Sequence, residues 1–136
     1  MINEDLFTKL AADAGVASYL TSGSVTRIYP HKHRFEPTYP LATYEVADDE
    51  PAYVFAGSIQ MREANLIYTC VAETYREARQ VADAIESALS GFRGLLTTHF
   101  AHAVMVGSVR DSKIQKTDDA DSFYYAVGVS VTVHYE

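Results

Sequence analysis

The chain contains 136 residues, 48% of them hydrophobic, and carries a formal net charge of −7. This balance excludes an intrinsically disordered chain and disfavours a nucleic-acid binder, which normally offers a basic surface to phosphates. The single cysteine, Cys70, excludes an internal disulfide and a four-cysteine zinc site. No apolar stretch approaches the roughly 20 residues needed to span a bilayer, and the acidic start is unlike a secretory leader. We therefore expect one domain over residues 1–136, made in the cytoplasm, with no membrane and no sequence-specific nucleic-acid partner.

The N-terminal segment predicts the first helix. Asn3 is placed to cap it, and acidic residues follow in the first turn, where they suit the helix dipole. Leu6 and Leu10 lie on one apolar face, and Gly15 is expected to end the run. Beyond that glycine we expect no more than a short further turn.

Two short strands are expected next, on either side of a basic loop. Residues 25–29 and residues 41–47 are rich in β-branched and aromatic residues and are bounded by prolines. The acidic run Asp48-Asp49-Glu50 is then interpreted as a solvated turn. The segment that follows is ambiguous between strand and loop.

The clearest helix lies in the second half of the chain. Residues 66–72 predict a strand that is covered on both faces for part of its length. Thr74 and Glu77 then have the spacing of a capping box, and apolar residues recur at intervals of three and four over residues 75–92. This apolar stripe consists of Tyr75, Ala78, Ala82, Ile85, Leu89 and Phe92.

Two long strands close the chain. In HFAHAVMVGSV small residues blur the alternation, whereas YYAVGVSVTVHYE alternates sharply between apolar and small or polar residues. The last strand therefore has one apolar face, and the long helix supplies a stripe of matching length to cover it. We predict an α+β fold: a largely antiparallel β-sheet with two α-helices packed on one face. The opposite face is a candidate for contact with another copy.

The histidines are the residues that could suggest metal chemistry. His31 and His33 lie one residue apart in the basic loop, and His99 and His102 form a second pair. A spacing of three on a strand points the second pair to opposite faces, so a zinc site would need several imidazoles to converge. Cys70 lies mid-strand among apolar neighbours, where burial raises a thiol pKa instead of activating the thiol. We therefore predict no catalytic residues, no metal site and no cofactor.

The order of elements carries more information than any motif. The chain combines the helical opening NEDLFTKLAADAGVASYL, the element RIYP, a short strand that follows a proline, and a strand running directly into ETYREARQVADAIESAL. In this it resembles the small phage tail-completion, or tail-terminator, proteins. The resemblance implies a structural, non-enzymatic virion protein of a phage or prophage. Members form ring-shaped homo-oligomers, commonly hexamers, at the head-proximal end of the tail, where the ring ends tube polymerisation and takes part in head–tail joining.

The resemblance implies three partners: further copies of the chain, the tail tube protein and the head connector protein. Lys32 and Arg34 in the basic loop contrast in charge with Asp48, Asp49 and Glu50. Segments of opposite charge suit a subunit that closes head-to-tail into a ring. We take these residues as candidate contacts between subunits or with the connector.

Two other functions are compatible with the same residues. A head–tail connector of the virion neck would also be oligomeric and catalytically silent, but it would bind portal-bearing heads and not tube ends. A small metal-binding α+β enzyme would use the histidines as ligands, and protein purified without an affinity tag would then contain stoichiometric zinc.

Overall fold

The computed structural model describes residues 2–23, 25–30, 39–54, 57–116 and 119–136. The side chains of these residues are described as well, except those within 52–60 and 112–123. The helices are α1 (Ile2–Ala12), α2 (Ala14–Leu20) and α3 (Tyr75–Leu89). The strands are β1 (Thr21–Ser22), β2 (Val25–Thr26), β3 (Ile28–Pro30), β4 (Leu41–Val54), β5 (Gly57–Ala72), β6 (Gly94–Leu95), β7 (Phe100–Lys116) and β8 (Asp119–Tyr135).

Six of the strands form one sheet in the order β3-β4-β5-β8-β7-β6. β3 runs parallel to β4, and the other neighbouring pairs are antiparallel. β1 and β2 form a separate two-stranded ribbon. The predicted α+β class with a largely antiparallel sheet is confirmed. The described part of the chain has three helices instead of the predicted two, because α2 is a helix in its own right.

The helices and one face of the sheet share the core. Along β8, Val127, Val129, Val131 and Val133 are at most 1% exposed, which confirms the alternation read in the sequence. They pack in one cluster with the buried residues of all three helices. The buried face of α3 consists of Ala78, Val81, Ala82, Ile85 and Leu89. The last strand therefore has the cover that its apolar face requires.

The N-terminal helices differ in detail from the prediction. α1 begins before Asn3, so this residue lies inside the helix, and its Nδ2 donates to Tyr44 Oη at 3.5 Å. Asp13 is the residue that caps a helix here, because its Oδ1 accepts from the Val16 N–H of α2 at 3.1 Å. Gly15 consequently lies in the first turn of α2 and does not end the helical region.

A buried arginine divides the strand predicted over residues 25–29 into β2 and β3. Arg27 is 8% exposed, and its guanidinium donates to Ser22 Oγ at 2.6 Å and to the carbonyls of Tyr19 and Pro40, each at 2.8 Å. A buried cation requires such acceptors. Arg27 therefore ties the end of α2, the ribbon and the start of β4 together.

Helix α3 begins as predicted and ends earlier. Thr74 Oγ1 accepts from the Glu77 N–H at 3.3 Å, which is one half of the predicted capping box. The helix ends at Leu89, and Gly91 follows at φ 74°, a left-handed conformation that glycine adopts without strain. The Gly91 N–H then donates to the Val104 carbonyl of β7 at 2.9 Å, so the helix exit is fastened to the sheet.

Two long hairpins extend the sheet in opposite directions. β5 pairs with β8 from Arg62 to Ala72. The β4–β5 hairpin continues beyond Arg62, and the β7–β8 hairpin continues beyond Tyr125, the partner of Ala72. Because β5 and β8 are antiparallel, the two extensions lie at opposite ends of the sheet. The strands predicted in these regions were shorter, over residues 41–47 and 66–72 and in HFAHAVMVGSV and YYAVGVSVTVHYE.

Candidate assembly surfaces

The acidic run that was predicted as a turn lies in a strand. Asp48, Asp49 and Glu50 belong to β4, opposite residues 63–65 of β5. A register shift between Val46 and Asp48 places one extra residue in β4. The prediction was wrong because acidic residues are depleted in strands. They are tolerated here because this part of β4 lies at an open edge of the sheet, where charged residues discourage unspecific pairing.

Asp49 is held by its own chain. Tyr135 Oη donates to Asp49 Oδ2 at 2.7 Å, and Arg62 Nε donates to Asp49 Oδ1 at 3.0 Å. Burial, together with the hydrogen bond to this carboxylate, raises the pKa of Tyr135 to about 12. Asp48 Oδ1 accepts from Asn65 Nδ2 at 2.6 Å. Among the described side chains Glu50 has no such partner, so the three acidic residues are not equally available for a contact outside the chain.

The basic residues of the same prediction, Lys32 and Arg34, lie outside the described residues, as do His31 and His33. The structure does describe where their segment is attached. The chain leaves β3 at Pro30, which is paired with Tyr44 of β4. The segment therefore starts from the same edge of the sheet as the acidic run.

The second histidine pair, His99 and His102, does not converge. His99 Nδ1 lies 2.9 Å from Asp5 Oδ2, whereas His102 Nε2 lies 2.9 Å from Glu136 Oε2. In the parts of the chain that the structure describes, no three His, Cys, Asp or Glu side chains are grouped closely enough to hold a metal ion. The histidines make separate contacts to separate carboxylates.

Asp5 is the centre of a hydrogen-bond group that sequence reasoning missed. Its Oδ2 accepts from the Thr98 N–H at 2.8 Å, from Thr98 Oγ1 at 2.9 Å and from the His99 N–H at 3.0 Å. Burial opposes ionisation of Asp5, but the hydrogen bonds from Thr98 and His99 outweigh it and lower the pKa below its usual value. The sequence signal was an acidic residue in a first helical turn, which fits an exposed position equally well.

Two of the grooves formed by the described residues border α1. One, of about 560 Å³, lies between α1 and the sheet end where Asp49, Arg62 and Tyr135 meet. The other, of about 500 Å³, includes Lys9, whose Nζ lies 3.8 Å from the centre of the Phe92 ring. In the first groove Asp49 accepts from both Arg62 and Tyr135, which is typical of a structural contact.

The outer strands of the sheet leave their longer neighbours partly uncovered. β3 pairs with residues 42–44 of β4, and β6 pairs with residues 100–101 of β7. Among the described residues, β4 from Glu45 onward and β7 from Met105 onward have no strand on their outer side. Such an edge presents unpaired N–H and C=O groups and is a template for another strand. The strands predicted from the sequence over residues 41–47 and in HFAHAVMVGSV were shorter than β4 and β7.

The sheet face away from the helices is here called the open face. Among the described side chains, its exposed large apolar residues include Ile67, Met105 and Phe100, at 36%, 48% and 36% exposure. At one end of this face the rings of Tyr39 and Tyr124 stack with centroids 4.3 Å apart.

These features define an α+β assembly protein, whose distinctive surfaces are uncovered sheet edges and charged strands. In the described residues no helix is both long and apolar enough to cross a membrane. The chain belongs to the family described as tail completion protein gp17, whose model matches residues 4–134. It is therefore a structural component of the virion tail and not an enzyme.

A solved structure supports the same fold. A chain of the virion of a native gene transfer agent particle is similar, with a TM-score of 0.65 and 16% sequence identity. The match covers 95% of this chain and 91% of that chain. No curated protein matches the sequence significantly.

Proposed function

We propose that this chain is a tail terminator. Copies of it form a ring, hexameric as the family resemblance implies, on the head-proximal end of the tail tube. The ring ends tube polymerisation and joins the tail to the head connector protein. The observation that supports this proposal best is a pair of uncovered sheet edges in a member of the tail completion family. An uncovered edge presents N–H and C=O groups that another strand can pair with, and in a closed ring each subunit has a neighbour at both edges.

The charges fit this role. The formal charge of −7 disfavours adhesion of DNA, which is useful in a ring through which DNA passes. Asp48, Asp49 and Glu50 lie on an uncovered edge and are proposed to meet a neighbouring subunit there, Glu50 most directly, because Asp48 and Asp49 already have partners within the chain. Lys32 and Arg34 are proposed to contact the head connector or a neighbour. Reversing both to glutamate is expected to weaken that contact most at low salt, where exposed charges are least screened.

The test is reconstitution with purified tail tube protein. Added during tube growth, the protein is expected to stop elongation and to appear as extra density at one tube end in negative-stain images. Light scattering of the protein alone gives the mass of any preformed ring. A matched sample with the Lys32→Glu, Arg34→Glu variant shows whether the basic segment contributes. Binding to portal-bearing heads without binding to tube ends would instead identify a head–tail connector.

A further inference from the structure

We infer that neighbouring copies join edge to edge: the β7 edge around Arg110 of one copy pairs antiparallel with the β4 edge around Asp48 of the next. This inference rests on the proposed function, because it names the interface that closes the ring. Four features of the two strands support it: their direction, the length of edge that no strand covers, their charges, and the face on which those charges lie.

Strand direction permits this joint. β4, β5, β8 and β7 are successive antiparallel neighbours, so β4 and β7 run in opposite directions. When identical sheets are placed side by side in the same orientation, β7 of one copy meets β4 of the next as an antiparallel pair. Antiparallel pairing is the more stable of the two hydrogen-bond patterns.

The free parts of the two edges have defined limits. On β7, β6 covers residues 100–101, and the Gly91 N–H occupies the Val104 carbonyl at 2.9 Å. On β4, β3 covers residues 42–44, and Pro51 has no N–H to offer. The free segments therefore begin at Met105 on β7 and run from 45 to 50 on β4.

The two free segments have opposite charge. From Met105 to its end, β7 contains three basic residues and one acidic residue, whereas β4 from Glu45 onward contains four acidic residues and no basic one. The acidic residue of β7, Asp111, already accepts from Arg79 Nη1 at 3.2 Å and Tyr75 Oη at 3.0 Å. A partner strand therefore meets a net basic edge on β7 and an acidic edge on β4.

The charges also share a face. Arg110 is exposed and lies opposite Gly128, which alternates with the buried valines of β8 and so belongs to the open face. Glu45 lies opposite Ile67 and Asp48 opposite Asn65, both on the open face. Directly opposed residues lie on the same face of a sheet, so a continuous sheet would bring Arg110 beside Glu45 or Asp48.

Pairing of like edges is disfavoured by the same charges. Two β4 edges would oppose acidic residues, and two β7 edges would oppose basic ones. Such contacts between identical edges would give a two-fold dimer. A joint between two different edges is head-to-tail and can close into a ring.

Charge exchange tests the inference. Arg110→Glu and Glu45→Lys are each expected to lower the assembled mass in light scattering at low salt, and the double variant to recover most of it. Arg76→Glu, on the exposed surface of α3, makes the same charge change as Arg110→Glu away from both edges and should leave the mass unchanged. If the double variant lost as much assembled mass as the single variants, the inference would be overturned.

Cross-linking tests the geometry. Glu50 of β4 and Met105 of β7 lie on the open face, near Glu45 and Arg110. Cys70 is buried, so it is not expected to react with the cross-linker. With a short bismaleimide, Glu50→Cys plus Met105→Cys in one chain is expected to give a ladder of covalent oligomers, and either single variant only monomers. Dimers from Met105→Cys alone would show pairing of like edges and overturn the inference. If rings cap tubes but no ladder forms, this interface is wrong and the terminator stands; if no tube is capped, the proposed function is wrong.

Discussion

At the scale of single residues, Asp5 shows how a buried carboxylate can be held ionised by hydrogen-bond donors. Its side chain is 4% exposed, yet its pKa is lowered, because hydrogen bonds from Thr98 and His99 outweigh the cost of burial. The group connects α1 to the segment that enters β7, across 93 residues of sequence. It therefore fixes the position of the N-terminal helix against the sheet.

Replacing Asp5 with asparagine is expected to lower the free energy of unfolding by about 1–3 kcal/mol, because the new amide group faces backbone donors and leaves one unpaired. Urea denaturation at neutral pH measures the change. Glu63→Gln, at an exposed position of β5, removes the same charge and should have little effect. Equal stability of the two variants would contradict the role assigned to Asp5.

The same carboxylate makes stability depend on acid pH. Because its pKa in the folded protein is lowered, its contribution is complete above the unfolded-state value of about 4 and is lost as the pH falls through the folded-state value. The stability difference between the wild type and Asp5→Asn is therefore expected to shrink below about pH 4. Denaturation curves at several acid pH values check this, and a constant difference would contradict it.

At the scale of elements, α3 depends on its cap and on its cover. Its N-terminus is closed by Thr74 Oγ1, and its apolar face is buried against β5, β7 and β8. Residues 75–89 form a helix because a strong apolar stripe and a local cap coincide. By contrast, the lengths of β4 and β7 depend on pairing partners that lie far away in the sequence.

Thr74→Ala is expected to destabilise the protein by about 1 kcal/mol, because the Glu77 N–H loses its acceptor. Thr74→Ser keeps the hydroxyl and should retain most of that stability. Glu77→Gln should change stability less than Thr74→Ala, because the structure shows the bond to the threonine oxygen and not the return bond from Glu77. Thermal unfolding of the three variants compares them, and a larger loss for Glu77→Gln would argue for a complete capping box.

At the scale of the whole molecule, the core is a layer between the helices and one sheet face. Cys70 of β5 lies in that layer with 0% exposure, and burial raises the pKa of its thiol to about 12. A thiolate is the reactive form, so this cysteine is inert in the folded protein. Its chemistry therefore reports the integrity of the entire core.

Maleimide labelling of Cys70 is expected to be negligible in native protein and rapid in denaturant. The slow rate of labelling in native protein should follow the equilibrium constant of global unfolding, because the core opens as a unit. Asp5→Asn should raise that rate in proportion to its effect on unfolding. Mass spectrometry measures the labelled fraction, and fast labelling of the native wild type would contradict the buried position.

The sequence by itself determined α3, the alternation of β8, the burial of Cys70 and the likeness to tail completion proteins. Each of these depends on local periodicity or on the order of elements along the chain. The tertiary structure decided that Asp48, Asp49 and Glu50 lie in a strand, that Asp5 meets Thr98, and that β4 and β7 have uncovered edges. These features depend on which distant segments become neighbours, and hydrogen bonding between such segments leaves no periodic signal in either of them.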